Sequence, residues 1–198
     1  MTRNILLCGV GGQGTVKASR IIALSSMEEG KNVRTAETIG MAQRGGSVVS
    51  HVRISDQPIY SPLIPKGKAD LLIAFEPGEA VRCIDYLKED GVIIVNEKAI
   101  RPVSASLFGS GYDGKDALDF LDKHFKNVRR IDGDRICEKC GSDKVLNIAL
   151  LAGAAASGEL GITVSGLLDA VRKQLPEKAF AMNEKAIAIV TKGEEYGN

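Results

Sequence analysis

Two hydrophobic rhythms alternate along this chain. Asn4-Ile5-Leu6-Leu7-Cys8-Gly9-Val10 is a continuous apolar run of strand length, and from Thr15 to about Glu29 the period becomes helical, with Val16, Ser19, Ile22 and Ala23 on one face and Gly30 as the stop. Asn32 to Ala36 reads as a second strand. Ser47 to Ser55 alternates, with Val48, Ser50, Val52 and Ile54 on one face and Val49, His51 and Arg53 on the other, as in a half-buried strand. On that pattern His51 belongs to the less apolar face of a strand and not to a catalytic site. Pro58, Pro62 and Pro65 exclude a central strand or helix and make an extended surface segment. Ala69 to Phe75 is again continuously apolar, as expected of a strand covered on both faces of a parallel sheet. Glu76-Pro77 opens a helix expected to run to about Glu89, and Asp90-Gly91 turns into a strand from Val92 to Val95.

Beyond Asn96 the periodicity fades into a Gly-, Ser- and Pro-containing loop that reaches Gly114, with room for one short strand. Asp116 to Phe125 reads as a helix and Asn127 to Ile131 as a strand. Helical segments close the chain: Asp134 to Cys140 leading into Lys144 to Ala156, then Thr163 to Gln174, then Glu177 to about Lys192. Val145, Ile148, Ala149, Leu151 and Ala152 give the second of these a broad surface of small apolar residues suited to close packing. Strands alternating with helices and followed by helices predict an α/β fold: a Rossmann-like three-layer domain with a mostly parallel sheet and a helical C-terminal segment, in one domain over residues 1–198. In such sheets ligands meet the carboxyl ends of the strands. The Gly9 to Gly14 loop, the Glu37 to Gly46 loop and the Glu76-Pro77 turn all leave such ends, so they are expected to share one functional edge.

The first of these loops carries the clearest chemistry. Gly9, Gly11, Gly12 and Gly14 lie between an apolar strand and a helix start, and Gly9, Gly11 and Gly14 satisfy the dinucleotide pattern G-x-G-x-x-G in its required context. A helix start offers unpaired N–H groups to an anion, and glycine lets a ligand approach the backbone. Gln13 and Thr15 can donate to a diphosphate or merely cap the helix. Glu37 is the nearest acid that can hold a ribose, but it comes later than the usual spacing of about 20 residues. Two readings stay open here: a nucleotide-binding loop, and a close strand-to-helix turn with no ligand.

Composition narrows the function classes. The 198 residues carry a formal net charge of +1, with basic residues scattered and not interleaved with aromatics, which argues against nucleic acid as a partner. Apolar residues at 44% and charged residues at 26% are ordinary for a globular domain, and 22 glycines without tryptophan suit an aliphatic core with many tight turns. The N-terminal residues lack the pattern of a signal peptide, and no apolar run approaches the ~20 residues of a membrane helix, so no membrane partner and a cytoplasmic location are expected. Of the four cysteines, Cys8 and Cys83 read as small core residues. Cys137-Glu138-Lys139-Cys140 has the spacing of half a zinc site or a redox pair, but His51 and His124 are isolated and no second ligand pair follows, so a structural or incidental role is expected.

The segment after the second strand adds what a dinucleotide fold has no reason to contain. Glu37-Thr38-Ile39-Gly40-Met41-Ala42-Gln43-Arg44-Gly45-Gly46, followed by an alternating strand, resembles, together with the Gly9 to Gly14 loop, the gamma-type subunits of the 2-oxoacid:ferredoxin oxidoreductases. Ser61-Pro62-Leu63-Ile64-Pro65 and Ala69-Asp70-Leu71-Leu72-Ile73-Ala74-Phe75-Glu76-Pro77 look most like the small (beta) subunits of the indolepyruvate type within that family. The resemblance spans about Asn4 to Ile189. It implies a non-autonomous enzyme subunit supporting oxidative decarboxylation of a 2-oxoacid to an acyl-CoA, with ferredoxin as the electron acceptor of the complex. Thiamine diphosphate and iron-sulfur clusters are then expected in a large partner subunit, since Gly133-Asp134 lacks the rest of a thiamine-diphosphate motif and no cysteine run suits a cluster. Coenzyme A is expected to be shared. The residues implied in its binding are Gly9, Gly11, Gly12, Gln13, Gly14, Thr15, Gln43, Arg44, Gly45 and Gly46, with Arg44 suited to pair with a phosphate or to meet the partner. A free-standing nucleotide-binding module using Glu37 is the alternative.

Overall fold

Strand β1 (Thr2–Val10) lies inside the sheet, and its side chains set the layering. In the computed structural model, which describes residues 2–38, 45–100 and 111–192, Ile5 and Leu7 enter one apolar cluster while Leu6 and Cys8 enter another on the opposite face. Side chains alternate along a strand, so one that is apolar at every position must be covered on both sides. Helix α1 (Thr15–Glu28) and the C-terminal helices α4 (Gly133–Cys140), α5 (Leu146–Ala156), α6 (Val164–Gln174) and α7 (Phe180–Thr191) cover the first face. Helices α2 (Pro77–Arg82) and α3 (Lys115–His124) cover the second. This is the three-layer α/β arrangement expected from the sequence.

Among the described residues the sheet runs in the order β2-β3-β1-β4-β5-β6, with β2 at Asn32–Thr38, β3 at Ser47–Ser55, β4 at Ala69–Ala74, β5 at Leu87–Asn96 and β6 at Val128–Ile131. The pairs β1–β4, β4–β5 and β5–β6 are parallel, whereas β3 is antiparallel to both β1 and β2. The sheet is therefore mostly parallel with one reversed strand. That reversal positions the site: Val10 at the end of β1 pairs with Ser47 at the start of β3, so the loop leaving one strand meets the loop entering the other. Helix α5 is buried along almost its whole length, and Gly153 sits where an added Cβ would come within 3.2 Å of Ile131. Its small residues let it lie close on the sheet.

Three expectations are corrected by packing. The inner face of α1 is Thr15, Ala18, Ser19, Ile21, Ile22, Ser25 and Ser26, not Val16 and Ala23, because the helix is wedged between the sheet and α6. The helix opened by Glu76-Pro77 stops at Arg82, a 3-10 turn follows at Ile84–Tyr86, and β5 begins at Leu87. Ala69 pairs with Leu87 and Leu71 with Val92, so the intervening β5 residues bulge, and the Leu87 side chain occupies the place of a Gly91 Cβ. The chain thus enters β5 ahead of Asp90-Gly91.

His51 is buried at 3% exposure although its strand was expected to be half-open. The proline-rich segment covers it: the Ile64 N–H donates to His51 Nδ1 at 3.2 Å, Ile64 itself is buried, and Tyr86 stands edge-on to the imidazole with centroids 5.6 Å apart. Burial holds the imidazole pKa below its ordinary 6.5. The unfolded chain then takes up a proton at His51 before the folded one does, so its contribution to stability is present above about pH 6.5 and is lost as pH falls through the lower folded value. The melting temperature is expected to fall on that acid side. His51→Gln, which keeps an acceptor for Ile64 but does not titrate, is expected to flatten the decline; an unchanged acid limb in this variant would assign it to other groups.

Candidate functional site

The two glycine-containing loops meet through their backbones. Gly11 N–H donates to Gly46 O at 2.8 Å and Gly45 N–H to Gly11 O at 3.4 Å, which prolongs the β1–β3 ladder beyond the last strand residues. Gly9, Gly11, Gly12, Gln13, Gly14, Thr15, Gly45 and Gly46 thus share one edge. Gln43 and Arg44 lie outside the described residues.

Gln13 works as a strut. Its Oε1 accepts from Val10 N–H at 2.7 Å and its Nε2 donates to Phe75 O at 2.8 Å, tying the loop to the end of β4. Gly9 lies beneath it, where an added Cβ would stand 2.8 Å from Gln13 Oε1, 2.8 Å from Phe75 Cβ and 3.2 Å from Thr15 Cγ2. Thr15 is buried behind Gly9 and makes no cap for α1. The cap position is Gly14, at φ +88°, a left-handed conformation that suits glycine. Having no side chain, Gly14 leaves the first N–H groups of α1 without a side-chain acceptor; the first helical bond is Ala18 N–H to Gly14 O at 3.0 Å.

Over this helix start lies a cleft of about 650 Å³ lined by Gly11, Gly12, Gly14, Lys17, Arg20 and Val48, among others. The first turn of α1 carries no acid, and neither Lys17 nor Arg20 pairs with another described residue. A cation at the N-terminal end of a helix opposes the macrodipole, an arrangement that an anion in front of it relieves. Lys17 and Arg20 were not singled out from the sequence. Their signal was available: two basic residues three positions apart on the first turns after a glycine cap, where Asp or Glu is the favoured choice.

Buried carboxylates hold the floor of the edge. Glu76 caps α2 by accepting Glu79 N–H at 2.9 Å and also accepts the Tyr112 hydroxyl at 2.6 Å. Burial and the Glu76 carboxylate push the Tyr112 pKa well up, so the hydroxyl remains a donor. Glu79 accepts from the Ser47 hydroxyl and from Arg82 Nε, the latter at 3.1 Å, and so fastens the start of β3 to α2. Glu37 accepts a hydrogen bond from Ser19 Oγ at 3.0 Å, and β3 separates its strand from β1.

Cys137 and Cys140 stay apart from this edge chemistry, while Cys8 and Cys83 lie next to each other and near Glu79. Cys137 is buried in the core cluster of α4 and α5, and burial, helped by Asp143 and Asp134, pushes its thiol up to about 11. Burial also raises Cys140. Cys8 and Cys83 are buried too, all four are free thiols, and among the described residues no three His, Cys, Asp or Glu side chains are grouped as metal ligands. No helix among the described residues is long and apolar enough to cross a membrane.

Residues 4–196 match the protein family described as pyruvate ferredoxin/flavodoxin oxidoreductase. The chain is 38% identical over 190 residues to indolepyruvate oxidoreductase subunit IorB of Archaeoglobus fulgidus, covering 96% of this chain and 94% of the relative. The protein of the same name from Methanothermobacter thermautotrophicus is 36% identical over 187 residues, covering 94% of each. In fold, the chain is similar to the crystal structure of a keto/oxoacid ferredoxin oxidoreductase gamma subunit from Geobacter sulfurreducens, with a TM-score of 0.70 at 24% identity over 100% of this chain and 99% of that one.

Proposed function

The chain belongs to the pyruvate ferredoxin/flavodoxin oxidoreductase family as a small, gamma-type subunit, and from that membership we propose that it serves a cytoplasmic complex oxidising indolepyruvate or a related arylpyruvate, within which it holds coenzyme A. The names of its 38% and 36% identical relatives support the aromatic substrate class. The observation that carries the coenzyme A reading is the cleft at the α1 N-terminus, where backbone N–H groups without a side-chain cap, Lys17 and Arg20 converge and no acid is among the described lining residues. A diphosphate in that cleft meets both the helix dipole and two cations. Gln13 and Glu79 would then act by keeping the two loops in place, while Gly11 and Gly12 leave room for the ligand to approach the backbone.

Thiamine diphosphate supplies the electron sink for decarboxylation, and iron-sulfur clusters carry the electrons singly to ferredoxin. The thiols of this chain are scattered, three of them buried and Cys140 half-buried, which does not suit a cluster, so both groups belong to the large partner subunit in this reading. A free-standing dinucleotide module fits less well: Glu37 is engaged by Ser19, and the antiparallel β3 stands between its strand and the glycine loop. Mixing tests the assignment. The purified chain is expected to reduce no viologen or ferredoxin with any 2-oxoacid, and addition of the large subunit is expected to bring coenzyme A-dependent reduction. Turnover by the chain alone, or tight binding of NAD in place of coenzyme A on equilibrium dialysis, would overturn it.

A further inference from the structure

A second cationic pocket opens next to the glycine-loop cleft. It has a volume of about 350 Å³, shares Lys17 with that cleft, and adds Lys144 and Lys178 as its other cations. These come from separate parts of the chain: Lys17 from the first turn of α1, Lys144 from the turn leading into α5, and Lys178 from the turn leading into α7. The three lysines line one hollow, and Ser142 beside them is already engaged, its hydroxyl accepting from Lys144 N–H at the turn leading into α5. Among the described residues no acid lines the pocket and none of the three lysines has a pairing partner; Asp143 and Glu177 neighbour two of them in sequence but do not line it.

Asn183 supplies an independent sign of a ligand. It lines the pocket at 3% exposure, donates through Nδ2 to Ala179 O at 2.7 Å, and leaves its buried Oδ1 without a partner among the described residues. A buried acceptor without a donor is uncommon and destabilising. Leu175, Pro176 and Met182 add an apolar wall. Lysines call for phosphate, Asn183 for a hydroxyl or amine, and the wall for a non-polar body.

We propose that this pocket binds a phosphate ester whose body carries a hydroxyl or amine donor, the chemistry of a nucleotide or sugar phosphate. The site is separate from the glycine-loop cleft, although it shares Lys17 with it. Two sources offer this chemistry: the phosphorylated nucleoside end of coenzyme A, and a free nucleotide bound independently. The test is calorimetric titration of the reconstituted complex with ADP, ribose 5-phosphate and inorganic phosphate, in the wild type and in Lys144→Ala/Lys178→Ala. Both lysines are exposed, so the variant is expected to keep the wild-type melting temperature. ADP and ribose 5-phosphate are expected to bind more tightly than inorganic phosphate, which offers nothing to the apolar wall, and to weaken at least tenfold in the double variant. Coenzyme A competing with ADP, with its apparent Michaelis constant raised by the same substitutions, would identify its own end as the occupant. An unchanged Michaelis constant together with lost ADP binding would identify a free nucleotide. Either result supports the site. ADP affinity within twofold of wild type in the variant, or no saturable binding of either ester to the wild type, would overturn it. Because Arg20 does not line this pocket, Arg20→Ala disturbs the glycine-loop reading alone and separates its failure from this one.

Discussion

Gly9→Val is expected to destabilise the folded chain by about 3 kcal/mol or more and to prevent assembly of the complex. The new Cβ alone would stand 2.8 Å from both Gln13 Oε1 and Phe75 Cβ, closer than side-chain carbons tolerate. Neither neighbour yields cheaply. Gln13 is fastened at both ends of its amide, to Val10 N–H and Phe75 O, and Phe75 is fully buried. Relief therefore requires releasing the strut, which leaves buried polar groups unpaired, or shifting β4, which disturbs both core layers. Gly12 is the internal control: an added Cβ there meets nothing within 4 Å, and its φ of +105° gives Gly12→Ala a backbone penalty of only about 1 to 2 kcal/mol. Urea unfolding of the two variants separates crowding from conformation. Gly9→Val within about 1 kcal/mol of the wild type would show that the loop does not pack against β4 as described.

What the sequence disclosed and what it hid divide along physical lines. The strand-turn-helix of residues 4 to 28 was legible because its signals are local: an apolar run, glycines, then a helical period. The meeting of Gly11 with Gly45 and Gly46 followed in outline, since both loops were assigned to strand ends on one edge. The reversed direction of β3 was not legible, because alternation reports the faces of a strand and not its partner. His51 shows the same limit, its burial arising from a proline-containing segment without periodicity that folds back through Ile64. The lysine pocket was beyond reach for a different reason: Lys17, Lys144 and Lys178 converge only through the packing of α1, α5 and α7, which no local pattern encodes.

Lys17→Ala/Arg20→Ala is expected to raise the apparent Michaelis constant for coenzyme A about 10- to 100-fold while leaving that for the 2-oxoacid unchanged and the turnover number within about twofold. The size follows from exposure. A charge-assisted pair contributes about 1.5 to 3 kcal/mol when shielded, but both side chains are solvent-exposed, so about 1 kcal/mol or somewhat more for each is the reasonable share. The direction follows from the helix: its backbone donors remain in the variant, so binding weakens without vanishing. Screening gives a second readout, since added salt is expected to raise the Michaelis constant of the wild type toward that of the variant, whose own value changes less. Arg20→Lys is expected to recover part of the loss, because a point charge keeps the attraction but not the planar fork. If the double variant binds coenzyme A within twofold of the wild type and with the same salt dependence, the α1 N-terminus does not hold the diphosphate, and the glycine loop is left with the packing role that Gly9 and Gln13 already account for.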